Sequence, residues 1–127
     1  DDQITSALAL GAKGVISVLA NVVPEETHEI CRSYFDGDNE RSDTLQLQYL
    51  ELIENLFSDV NPIPVKRAMN AMGFAVGECR LPLCAMDPVA EERLLSCLYR
   101  YGLIEETKAG SVTVRRPQGA LLWRRNH

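Results

Sequence analysis

Residues 14–18 read "GVISV", Gly14-Val15-Ile16-Ser17-Val18. The run is β-branched and nearly all apolar, which is the pattern of a short strand buried on both faces, as in a parallel sheet. Such a strand needs neighbours along both edges. Each backbone N–H or C=O buried without a partner costs roughly 1–3 kcal/mol. The sequence offers no second stretch of similar quality. The only local candidate is "SVTV", Ser111 to Val114, which is polar and sits in the tail. The expected strand therefore asks for partners that lie elsewhere, and the chain reads as the end of a larger α/β protein.

Helical patterns flank this segment. "DDQITSALALG" reads as a short helix over Asp2 to Leu10, with Asp1 and Asp2 at its positive end and Gly11 as a left-handed cap. Pro24 opens the next helix, Pro24 to Phe35, followed by Glu25 and Glu26. Thr27, Ile30, Cys31, Tyr34 and Phe35 make its inner stripe. Glu40 to Phe57 reads as one long helix, with Leu45, Tyr49, Leu52, Ile53 and Leu56 at helical spacing and Leu47, Leu50 and Phe57 widening the apolar side.

"NPIPVK", Asn61 to Lys66, then forms a stiff corner. Each proline pushes the residue before it away from helical angles, and Pro64 starts a helix running to Met72. "GFAVGECRLPLCAMD" is expected to be extended and irregular. Asp87 and Pro88 are a cap and first-turn pair for a last helix that ends near Tyr101 and Gly102.

The totals exclude several classes. With 127 residues, 46% hydrophobic and 24% charged, the chain fits a single modest core. Residues 1–104 hold 8 Lys and Arg against 16 Asp and Glu, whereas residues 105–127 hold 5 against 2. The acidic body argues against a nucleic-acid partner. No apolar run is long enough for a membrane span, and the acidic start does not resemble a signal peptide, so a soluble cytoplasmic protein is expected. Cys31, Cys79, Cys84 and Cys97 form no C-x-x-C pair and read as reduced, buried, inert thiols. His28, Cys31, Cys79 and Cys84 are the alternative, as a zinc set, but the wide C-x4-C spacing speaks against it. No metal and no cofactor is expected.

The ordered motifs "DDQ", "LGAKGVISVLANVVP", "LFSDVNPIPVKRAMNAMG", "CRLPL" and "YGLI" resemble the C-terminal part of the dihydrodipicolinate synthase family. The match covers residues 1–104, and its most specific pieces are "GVISV" followed by "AN" and "NPIPVK". The resemblance implies the C-terminal end of a (β/α)8 TIM barrel, its last helix-strand-helix in residues 1–38, plus an appended three-helix domain in residues 39–104. Residues 105–127 are left as an unmatched, flexible tail. It implies a lyase of lysine biosynthesis that condenses pyruvate with aspartate semialdehyde through a Schiff base on a lysine of the sixth strand. A homotetramer is the common assembly. That lysine has no counterpart here, so the fragment alone is expected to be inactive.

Barrel active sites lie at the C-terminal ends of the strands. By that rule Ile16 to Leu19 approach the pocket, and the resemblance implies a backbone contact from Ile16 to pyruvate. Lys13 would lie at the far end of the strand and Lys66 in the appended domain, and both read as solvated charges. His28 reads as a surface or packing residue. Asp1 and Asp2 read chiefly as helix-start stabilisers, with a second-substrate role the weaker possibility. The competing class is a free-standing helical interaction module derived from the same family, which would use the apolar faces that otherwise meet the barrel.

Overall fold

A computed structural model describes residues 1–106 and 112–113. Six helices run in order: α1 (Ile4–Ala9), α2 (Pro24–Phe35), α3 (Asn39–Gln48), α4 (Leu50–Leu56), α5 (Ile63–Ala71) and α6 (Pro88–Arg100), with a single 3-10 turn at Leu19–Asn21. A two-residue antiparallel pair, β1 (Glu105–Glu106) with β2 (Val112–Thr113), follows in register Glu105 to Thr113. The rest of the expected tail lies outside the described residues.

Two apolar clusters hold the helices. The larger one gathers Leu19, Val22 and Val23 with Leu52, Ile53 and Leu56 of α4, Ile63, Val65 and Ala68 of α5, and Leu94, Cys97 and Leu98 of α6. The smaller one joins Ile4 and Leu8 of α1 to Ile30 of α2, with Leu45 of α3 packed against it. The Asp87 cap is the one the sequence announces, whereas α5 begins at Ile63, one residue before the expected Pro64. The Asp87 carboxylate accepts from Val89 N–H at 3.1 Å and Ala90 N–H at 3.0 Å, a cap of the kind that contributes about 1 kcal/mol.

Gly102, at φ +68°, reverses the chain after α6. Its N–H donates to the Tyr99 carbonyl and the Leu103 N–H to the Leu98 carbonyl, the paired bonds of a glycine-terminated helix. The irregular stretch after α5 is tied back by that helix. The Asn70 side chain donates to the Gly77 carbonyl at 2.9 Å and accepts from the Gly77 N–H at 3.2 Å, while Lys66 Nζ donates to the Glu78 carbonyl at 2.5 Å.

Several expectations are corrected. The long helix over Glu40 to Phe57 is interrupted at Tyr49. At this break the Tyr101 hydroxyl donates to the Gln48 carbonyl at 2.6 Å. The Leu52 N–H faces the same phenol oxygen and favours its ionised form. Gln48 and Leu52 are the i and i+4 residues of one helical turn, so the hydroxyl stands between two groups that would otherwise bond each other, a known cause of helix kinks. The tilted ring contact between Tyr49 and Tyr101, with centroids 5.4 Å apart, seats the wedge. The expected three-helix region consequently contains four helices among the described residues.

Gly14 to Val18 do not form a strand. Residues 12–17 run without helix, turn or bend, and β pairing among the described residues occurs only between β1 and β2. A strand exists only where a second backbone lies alongside it, and none does among the described residues. Phe35, Leu47 and Phe57, assigned to inner stripes, are exposed. Of the four thiols only Cys97 is buried, Cys31 and Cys79 are intermediate, and Cys84 is exposed. Asp1 and Asp2 precede α1 and contribute no acid to its first turn.

Burial pushes the Cys97 thiol up from its ordinary 9.0 to about 11, assisted by Glu51 and opposed by Arg100. A raised folded value means the stabilisation is whole below pH 9 and fades as pH climbs through 11. Burial raises Tyr49 and Tyr101 as well, in the same sense at still more alkaline pH. Urea unfolding at about pH 8 and about pH 10.5 should therefore show lower stability at the higher pH, and Cys97→Ala should flatten that difference. Tyr101→Phe keeps the ring contact but removes the wedge, and should lower stability by about 1 kcal/mol in the same measurement.

Candidate functional site

The segment leading to Leu19 is the part of the chain that the sequence marks for chemistry. Its upstream end is fixed by the close of α1. Gly11 turns at φ +100°, and the Ala12 N–H donates to the Ala7 carbonyl at 3.0 Å. From Lys13 to Ile16 no backbone hydrogen bond is made within the described residues. The side chains are as open as the backbone, for Val15 is 39% exposed and Ile16 is fully exposed. The Ile16 carbonyl is thus held on an apolar run that meets water instead of protein.

The downstream end is tightly held. Ser17 Oγ accepts from the Ala20 N–H at 3.1 Å, and the Asn21 side chain donates to the Val18 carbonyl at 3.1 Å. Leu19 is completely buried, and its N–H donates to the Asp1 carboxylate at 2.9 Å. Asp1 therefore closes the 3-10 turn 18 residues away, in place of the helix-start role expected for it. The Asp1 carbonyl in turn accepts from Gln46 Nε2 at 3.0 Å, and Gln46 Oε1 accepts from the Ile4 N–H at 3.0 Å. Four residues earlier on α3, the buried Ser42 hydroxyl donates to the Ile30 carbonyl at 2.7 Å.

Sequence reasoning missed Ser42 and Gln46. The signal was present, because the two polar residues stand at i and i+4 on the side of α3 that also carries Leu45 and Tyr49. Polar side chains on an inward face are bonded to something.

The remaining candidates are dispersed. Lys13 is exposed. Lys66 is engaged with the Glu78 carbonyl. His28 is on the exposed side of α2. Among the described residues no group of three or more His, Cys, Asp or Glu side chains is placed to hold a metal ion, so the His28, Cys31, Cys79, Cys84 set is not assembled. A shallow depression at the start of α3, lined by Asp38, Glu40, Arg41, Thr44 and Leu45, shares no residue with the segment 13–19. No helix of the described residues is long and apolar enough to cross a membrane.

The profile of the dihydrodipicolinate synthetase family matches residues 1–99. The 4-hydroxy-tetrahydrodipicolinate synthase of Acetivibrio thermocellus is 53% identical over 104 residues, which is 82% of this chain and 36% of that protein. Among solved structures, the dihydrodipicolinate synthase of Aquifex aeolicus superposes with a TM-score of 0.78 at 41% identity, over 80% of this chain and 35% of that one. The chloride-inhibited dihydrodipicolinate synthase of Acinetobacter baumannii, complexed with pyruvate, gives 0.75 at 35% identity over the same shares. The chain spans about a third of the length of the curated relatives it matches. With the profile covering most of its residues, and with helical packing shared with these enzymes, the chain belongs to the dihydrodipicolinate synthetase family.

Proposed function

We propose that this chain is the C-terminal third of a dihydrodipicolinate synthase-type lyase, which condenses pyruvate with aspartate semialdehyde in lysine biosynthesis. In this reading α1 is the seventh barrel helix, residues 14–18 the eighth strand and α2 the eighth helix. Residues 39–104 form the appended helical domain. The reacting lysine lies upstream. Its amine condenses with the pyruvate ketone, expelling water, and the protonated imine then draws electrons so that the methyl carbon loses a proton and becomes an enamine nucleophile. This chain supplies the Ile16 carbonyl, an acceptor at the pocket mouth that needs no special side chain.

The observation that carries the reading is the segment from Lys13 to Ile16. It is an apolar run with an open backbone and open side chains, flanked by firmly held ends. Solvent satisfies the peptide groups here, but exposed Val15 and Ile16 gain nothing from water. Two strands laid along this run would bond the peptides, and the barrel interior and outer helices would cover the side chains. The intact enzyme is then expected to assemble into a homo-oligomer, to which exposed Leu47 and Leu81 are available. A free-standing helical interaction module would use the same exposed leucines, and it differs in requiring no upstream barrel.

Borohydride trapping tests the reading. Purified residues 1–127 incubated with pyruvate and reductant should keep their mass, and the polypeptide extended upstream through its barrel should gain one reduced pyruvate adduct. Adduct formation on the short chain would place the imine-forming lysine within it and defeat the assignment. Amide hydrogen exchange provides the structural counterpart. Gly14 to Val18 should exchange almost freely in residues 1–127, except for what their two ends protect, and become protected in the extended polypeptide.

A further inference from the structure

Among the described residues nothing but the two ends of the segment holds residues 13–16; strands alongside would bond these peptides in the intact enzyme, and the downstream end would still be closed from within this chain. The downstream end is the Leu19 N–H on the Asp1 carboxylate. Asp1 is itself oriented by one buried side chain, Gln46, which is 5% exposed. The Gln46 amide uses both its polar atoms at once, giving a hydrogen to the Asp1 carbonyl and taking one from the Ile4 N–H. Glutamate in that place would keep the acceptor and set a second oxygen against the Asp1 carbonyl. Leucine would fill the space and leave two backbone groups unpaired. The requirement at position 46 is for a donor and an acceptor on one rigid plane.

We propose that Gln46, acting through Asp1, is a positioning residue that fixes where the Ile16 carbonyl stands against the bound keto acid. Gln46 touches no substrate. It refers the segment to α3, so that the helical region following the barrel end sets the geometry of a contact 30 residues earlier in the chain. The inference rests on the reading of Ile16 as a pyruvate contact. Its mechanical part, the link from Gln46 to Leu19, is testable without any activity.

The test follows the Leu19 amide by hydrogen exchange in residues 1–127, with the Leu98 amide inside α6 as the internal reference. Gln46→Leu and Asp1→Ala should each speed Leu19 exchange roughly tenfold relative to Leu98, while Asp1→Asn, which retains an acceptor oxygen, should stay near the parent. Asp1→Ala carries the test if Gln46→Leu does not fold. Unchanged Leu19 exchange, or Leu19 and Leu98 accelerating together, would overturn the link and leave Gln46 as a packing residue.

In the enzyme extended through its barrel, Gln46→Leu should raise KM for pyruvate several-fold with kcat within about twofold, the signature of a weakened binding contact. An unchanged KM in an active parent would reject the positioning role. A parent that traps no pyruvate would sink the functional reading instead, with the exchange experiment still deciding the link.

Discussion

The Gln46 side-chain amide is where the amino-terminal part of this molecule is referred to the rest. Without its two bonds, the residues before α1 would be left with the Asp1–Leu19 bond and the apolar contacts of Ile4 and Leu8. With them, Asp1 becomes a fixed acceptor, and the buried Leu19 turn has something to close on. A buried amide satisfied at both ends costs little to keep and much to lose, because its removal strands two backbone groups at once. Ser42, one turn earlier, does the same for α2 by bonding the Ile30 carbonyl. Helix α3 thus presents polar groups inward where a simple amphipathic helix would present only carbon.

A second polar insertion shapes the other side of the molecule. The Tyr101 hydroxyl occupies the bond line between Gln48 and Leu52 and divides what the apolar spacing alone would make continuous. The division lets α3 face the small cluster built on α1 and α2, while α4 packs into the large cluster with α5 and α6. Gly102 turns the chain directly after Tyr101, the residue that caps α6.

That contrast sets what the sequence could reveal. Helices with strong local signals were legible: Pro24 and Pro88 as openers, Asp87 as a cap, and Gly11 and Gly102 as stops. The family was legible from motif order around "GVISV" and "NPIPVK". What escaped was long-range and polar. The break at Tyr49 is met by a residue 52 positions later, and the role of Asp1 comes from partners 18 and 45 positions away. The strand expected at Gly14 to Val18 is not formed for another reason, since strand character is a property of a pair of backbones and composition describes only one of them. The same composition nonetheless marked the segment that lies open among the described residues.

The double bond between Asn70 and Gly77 has a consequence for the path that follows it. It closes a small ring at the end of α5, so the chain leaves that helix in a direction already decided. From Glu78 to Met86 the path then runs largely over the surface, returning to the core through Met86 just before the Asp87 cap. Between those ends Cys79 and Leu83 pack against the large cluster and the Leu83 N–H donates to the Arg80 carbonyl, so the surface path is held at points along its length. The direction fixed at the end of α5 thus carries the chain across the surface to the start of α6, whose Glu91 pairs with Arg67 of α5.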